Sequence, residues 1–219
     1  MIKMKRTIFA FALLSAALVS CNYQEEKEKD TDIEVKDIQN CVYTYNPDKT
    51  DLNFTAYKFI RKAGVGGTFT GLQVEGELSG AVPKDILESL SFSIPTSTVE
   101  TNNMDRNKKI DSLFFGSFSG SPMITGSVVK LDEASGMATL EITMNEISKN
   151  IEGKYELDDA KFSFSTDINV NEWNAQEGIE KLNEACYDLH TDVENGDTVS
   201  KLWPDVTLEF ETVLDKKCD

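Results

Sequence analysis

Residues 161–173 read KFSFSTDINVNEW. Phe162, Phe164, Ile168 and Val170 fall on one side of an extended chain, and Lys161, Ser163, Ser165, Asp167 and Asn169 on the other. A period of two marks a strand with one buried and one wet face. The same alternation recurs in both directions along the chain. Pro204–Leu214 sets Val206, Leu208, Phe210 and Leu214 against Thr207, Glu209 and Glu211. Met137–Glu146 sets Ala138, Leu140, Ile142 and Met144 against Thr139, Glu141 and Thr143, and Leu90–Ile94 alternates apolar residues with Ser. One wet face per strand is a property of antiparallel sheets; parallel sheets are covered on both sides.

Leu52–Ile60, rich in aromatic and β-branched residues, reads as a further strand. So do Val65–Leu78, Met123–Asp132 and Ile151–Leu157. Gly66, Gly67, Gly71 and Gly76 interrupt Val65–Leu78, where strand glycine marks a bulge, a corner or a close approach. Asp132–Gly136 is a hairpin loop and Asp158-Asp159 a turn. Three stretches carry helical spacing instead. Pro83–Leu90 has Pro in a first-turn position, Met104–Phe115 spaces Ile110, Leu113 and Phe114, and Ala175–Leu189 forms a stripe of Ile179, Leu182, Ala185, Cys186 and Leu189. Thr191–Lys201 is a polar loop. The pattern predicts a mainly β fold: a single antiparallel up-and-down barrel of about eight strands, with a few short helices at its ends. Its inward faces supply Phe92, Ile94, Leu140, Ile142, Met144, Phe162, Phe164, Ile168, Leu208 and Phe210. By residue type alone, such a set fills a solid core or lines a pocket.

The chain has 219 residues, with 38 Asp+Glu, 22 Lys+Arg and one His, for a net charge of −16. Lys3, Lys5 and Arg6 are the only charged residues among the first 20, so the chain without them carries −19. Such acidity disfavours nucleic acid, which requires a basic face, and also an anionic membrane surface as an electrostatic partner. A Ser-His-Asp site would have to use His190, and a His-rich metal centre is excluded. No nucleophile elbow, phosphate loop or metalloprotease helix occurs. The reading is therefore of a non-enzymatic protein with no cofactor and no assigned metal site.

Met1–Arg6 is basic and Thr7–Ser20 apolar, too short for the roughly 20 residues that span a bilayer. The pair fits a secretory signal peptide. Leu18-Val19-Ser20-Cys21 resembles the bacterial lipobox, which implies that Cys21 carries acyl chains and anchors the protein to a membrane. The expected organisation is a lipoprotein signal peptide over 1–20, a lipidated, flexible and acidic tether over 21–40, and the barrel domain over 41–219. The expected location is the bacterial cell envelope, at the outer membrane. Glu25-Glu26 resembles the surface-export signal of some Bacteroidetes lipoproteins, and reads equally as a solvated linker.

Three cysteines remain in an envelope that permits disulfides. If the first and last strands of a closed barrel pair antiparallel, Cys41 and Cys218 lie opposite each other. A bridge between them would clasp the seam, leaving Cys186 a buried free thiol. Cys186 and His190 stand four apart on one helix, which puts their side chains on one face, a usable two-ligand metal spacing. Zinc there would need two more ligands, from Cys41 or Cys218 only if these are unbridged.

Several segments together resemble the YceI-like family. They are Val65-Gly66-Gly67-Thr68-Phe69; Leu90–Thr101; Thr101-Asn102-Asn103-Met104-Asp105-Arg106 followed by Ile110 and Leu113-Phe114-Phe115; Leu182–His190; and Trp203-Pro204-Asp205-Val206. The resemblance covers about Leu52 to Leu214. It implies a lipocalin-like barrel that binds polyisoprenoid or a similar lipid, with the ten inward residues as the lining. An isoprenoid or acyl chain would be held by burial alone, at roughly 0.8 kcal/mol per CH₂. Asn107 stands where the family often has Asp, and Lys109 where it often has His. Arg106 carries over, with two readings: a structural pin paired with Asp105, Asp111 or a carbonyl, or a contact to a ligand head group. The alternative to lipid binding is a surface interaction module with a filled barrel, working through its acidic exterior or Thr191–Lys201.

Overall fold

The computed structural model describes residues 40–219. The expected signal peptide, the expected lipidation at Cys21 and the expected tether up to residue 39 lie outside the described residues. Thirteen strands and three α-helices follow in order: β1 (Cys41–Thr44), β2 (Thr50–Lys58), β3 (Ala63–Phe69), β4 (Gln73–Glu75), β5 (Ser79–Gly80), α1 (Pro83–Glu88), β6 (Ser91–Pro95), β7 (Val99–Glu100), α2 (Met104–Lys109), β8 (Met123–Asp132), β9 (Met137–Met144), β10 (Ile147–Asp158), β11 (Lys161–Asn169), α3 (Gln176–Ala185), β12 (Leu202–Val213) and β13 (Asp215–Cys218).

Ten strands form one antiparallel sheet in the order β4-β6-β8-β9-β10-β11-β12-β2-β3-β7. Its two ends are one seam. β3 and β4 are successive pieces of a bent strand, as are β6 and β7. β3 pairs with β7 (Thr68 opposite Glu100) and β4 with β6 (Val74 opposite Phe92), and Thr70 N–H donates to Thr98 O between them. The sheet thus curls until its edges meet, as eight walls. Side chains of alternating parity fill the inside, which is why the period-two stretches were decisive.

Local chemistry fixes the hairpins. Asn145 and Glu146 connect β9 to β10 with φ of 51° and 62°, the left-handed pair of a two-residue turn. Asn145 also ties this turn down: its side-chain amide donates to Trp173 O at 2.7 Å and its carbonyl accepts from Ser119 N–H at 2.6 Å. Trp173 is fully buried, and its Nε1–H donates to Ile142 O at 3.1 Å.

Several expectations change in detail. The Lys161–Trp173 stretch is strand only to Asn169; Val170–Trp173 turns as a 3₁₀ helix that still buries Val170 and Trp173. Val65–Leu78 is broken after Phe69, where the chain bends at the seam. Met104–Phe115 is α-helical to Lys109, then carries a π turn over Ile110–Phe114, the wider turn that precedes the contacts among Phe114, Phe115 and Phe118. The third helix stops at Ala185 rather than running to Leu189, and Tyr187–His190 is a separate 3₁₀ turn.

Cys41 and Cys218 are disulfide-bonded, and they face each other in the β1–β13 register. The bridge is not on the barrel seam. The turn Pro47–Lys49 separates β1 from β2, and β1, β13 and β5 form a separate three-stranded sheet. The bond therefore clasps an extension of the β2–β12 ribbon, while the seam closes by strand pairing alone.

Candidate functional site: an apolar cavity leading to a basic vestibule

The inward residues of the barrel enclose a cavity of about 150 Å³. All ten residues named from alternation line it: Phe92, Ile94, Leu140, Ile142, Met144, Phe162, Phe164, Ile168, Leu208 and Phe210. Leu52, Phe54, Phe69, Val74, Leu87, Ile124 and Ile151 join them, and Ser91 and Glu209 are the only polar residues of the lining. An apolar hollow of this size stays dry, since water there would find no partners.

The hollow depends on missing side chains. Phe92 faces Gly126 across β6–β8, and Phe54 faces Gly67 across β2–β3. Phe164 lies beside Gly153 of β10. A Cβ at any of these glycines would overlap the phenylalanine ring. Without it the rings lie against the wall and the centre of the barrel stays open.

A second cavity of about 400 Å³ is lined by Ala56, Lys58, Val65, Asn103, Asp105, Arg106, Lys109, Ile110, Leu182, Cys186, Leu189, His190 and Leu202, among others. Ala56 and Lys58 share the strand parity of Leu52 and Phe54, and Val65 that of Phe69. The two cavities therefore follow each other along one inner face, with Phe54 and the bare position Gly67 between them. α2, the end of α3 and the Tyr187–His190 turn contribute the rest of this vestibule.

The vestibule is cationic. Lys58 Nζ donates to Leu189 O at 2.9 Å, and Lys109 Nζ lies 3.6 Å from Cys186 Sγ. Burial holds the Lys58 ammonium below its ordinary pKa, and Arg106 adds to the effect. Burial pushes His190 down to about 4, with Lys58 and Lys109 adding to the effect, so its ring is neutral at pH 7. One ring nitrogen, Nδ1, sits 3.0 Å from Asn183 Oδ1; with the neutral ring, Nδ1–H is the donor.

Arg106 is thus absent from the apolar cavity and lines the vestibule. It makes no ion pair with Asp105 or Asp111 among the described residues. Cys186 and His190 do meet in one cavity, although not on one continuous helix. Cys41 and Cys218 are consumed by their bond, and no group of three potential metal ligands gathers among the described residues.

The lining residues that alternation missed have simple causes. Leu52 and Phe54 open a stretch, 52–60, whose apolar residues fall on the even parity at first (Leu52, Phe54, Ala56) and then on the odd (Tyr57, Phe59), which hid its inner face. Lys58 and Lys109 carried no motif. Only the folded barrel brings β2 beside the 103–115 segment.

These features define a hollow eight-walled antiparallel barrel, lipocalin-like in architecture, with an apolar interior and helical segments beside one end of it. The YceI-like domain model matches residues 43–214, and the chain belongs to that family. Two solved structures agree in fold, and a third bears the family name. A polyisoprenoid-binding domain from Saccharophagus degradans, implicated in plant cell wall breakdown, is 15% identical with a TM-score of 0.52, covering 83% of this chain and 99% of that one. BcnA of Burkholderia cenocepacia is 10% identical with a TM-score of 0.50, covering 79% and 99%. A YceI protein of Campylobacter jejuni is 16% identical with a TM-score of 0.44, covering 74% and 89%. No curated protein matches the chain.

Proposed function

We propose that this protein binds an apolar lipid chain, isoprenoid or acyl, inside its barrel, and that its role is binding rather than catalysis. The observation that carries the reading is the cavity walled almost wholly by carbon. The polyisoprenoid-binding domain of the same fold supports it. An apolar hollow of about 150 Å³ takes a benzene-sized group, so a longer chain must extend towards the vestibule and displace the Phe54 ring. We place the protein in the bacterial cell envelope, held at the outer membrane by lipid on Cys21, where it carries, stores or senses this lipid. The acidic surface keeps nucleic acid away.

The test is native and denaturing mass spectrometry of the purified protein, with organic extraction of any bound lipid. Copurified lipid, or binding of added geranylgeraniol, is expected. Reproducible absence of both would leave a filled barrel acting as an interaction module. Ile142→Trp is the companion variant. In a true hollow it blocks lipid and leaves the melting temperature near wild type; in a solid core it costs about 1–3 kcal/mol by overpacking.

A further inference from the structure

The vestibule reaches the surface at Leu189, which lines it and is 61% exposed. Around this end stand the five most exposed large apolar side chains of the described residues: Met104, Val193, Leu189, Ile60 and Val199, between 54% and 73% exposed. Met104 opens α2, whose Asp105, Arg106 and Lys109 line the vestibule. The other four belong to two segments bonded to each other, the turn from β2 to β3 and the stretch 187–201. Phe59 N–H donates to Lys201 O at 2.9 Å, Ile60 N–H to Asp197 Oδ2 at 3.2 Å, and Lys58 Nζ to Leu189 O at 2.9 Å. Trp203 Nε1–H donates to Phe59 O at 2.7 Å. Phe59 has φ of 65°, a conformation few aromatic residues adopt, so these bonds hold the turn in a set shape while Ile60 stays exposed.

Two further properties fit one partner. Charge is balanced here: residues 58–62 and 187–203 together hold four basic and four acidic residues, in a chain with 22 and 38. The basic chains also lie on aromatic rings. Lys62 and Lys201 Nζ stand 4.6 and 4.4 Å from the centre of the Trp203 ring, and Lys58 Nζ and the Arg61 guanidinium 4.3 and 5.3 Å from that of Phe59. Exposed aliphatics beside aromatics, with basic chains laid across them, suit the membrane–water interface, where Trp sits at head-group level and Lys and Arg snorkel. The N–H groups of Phe59, Ile60 and Lys62 are used internally, so this surface offers a partner side chains rather than a strand edge.

We infer that this end of the barrel docks on a zwitterionic bilayer surface, with Ile60, Val193 and Val199 seated at the boundary of head groups and acyl chains. This rests on lipid binding by the barrel and adds the route by which the chain enters. An apolar chain drawn through water exposes every CH₂ it carries, and an apolar rim set in the interface removes that exposure. The contact draws on apolar insertion and requires no excess of basic residues, which an anionic surface would favour.

Trp203 is a reporter already in place, because the only other tryptophan, Trp173, is fully buried. The full chain is reconstituted on phosphatidylcholine vesicles whose acyl chains carry bromine near the head group, a contact quencher. Attachment through residues 1–39 is common to all variants, so differences between them report the barrel. A loss of tryptophan emission is expected in wild type and should be absent in Trp203→Phe. In Ile60→Asp/Val193→Asp the loss should shrink severalfold and transfer of geranylgeraniol from vesicles should slow. Equilibrium affinity for geranylgeraniol should stay at the wild-type value, because neither residue lines a cavity. No quenching in wild type, or equal quenching in the double variant, overturns the inference, while lipid binding, read from the geranylgeraniol titration, is untouched. If wild type is quenched but geranylgeraniol does not bind, docking stands and lipid binding falls. If quenching is absent and wild type sediments as a dimer that the double variant does not form, the face is an interface between copies and the bilayer assignment is overturned.

Discussion

The phenylalanine–glycine pairs are the smallest unit on which the hollow depends. Gly126→Ala is expected to cost about 1–3 kcal/mol by overpacking, because the new methyl meets both Glu141 O and the Phe92 ring. It should also drive that ring into the cavity and weaken lipid binding, measured by probe titration beside urea unfolding. Trp173→Phe should cost about 1–3 kcal/mol, since it leaves Ile142 O without its donor in a fully buried place. His190 makes a pH prediction. Its folded-state pKa of about 4 lies below the unfolded 6.5, so folding favours the neutral ring. Its contribution is complete above pH 6.5 and is lost as pH falls towards 4. Unfolding midpoints at pH 7 and 4.5 should converge in His190→Gln relative to wild type. Residue-level legibility followed one rule. Where one strand parity was clean, as in Phe162 and Phe164, the inward residues could be read; where apolar residues switched parity, as after Phe54, they could not.

Among elements, strands were far easier to recognise than their ends. Alternation located the cores of β9, β11 and β12, yet it carried β11 through to Trp173, because a 3₁₀ turn keeps Val170 and Trp173 buried without a change in residue type. The break after Phe69 was announced only by glycines, whose meaning depends on what lies opposite. The disulfide was legible from the pairing of first and last strands, but its position outside the barrel was not, because the insertion Pro47–Lys49 has no hydrophobic signature. This element carries its own prediction. Cys41→Ser with Cys218→Ser should lower stability by about 2–5 kcal/mol, as a loop of 177 residues is released, and should leave probe binding intact. Reduction of the wild type should add two hydrogens to its intact mass.

For the whole molecule, the count of acids and bases misled in one respect. It argues for a surface unsuited to phosphate backbones, but a net charge is an average, and it conceals a local gathering of three cations at one cavity. Only the fold, by placing β2 against the 103–115 segment, gathers Lys58, Arg106 and Lys109. The remaining global feature is time. Thr50 pairs with Thr212 and Cys41 with Cys218, so the ribbon joining the two ends of the described chain spans nearly its whole length. Contacts this distant in sequence are slow to form, because the chain between must first be ordered. The local hairpins β8–β9–β10–β11 have no such obstacle. Oxidation of the two thiols to the native bond thus waits until β12 has come round to β2, and the bond becomes a record of that pairing. In an oxidising compartment, chains trapped short of that point would carry two reactive cysteines, the marker by which incomplete molecules can be told from complete ones.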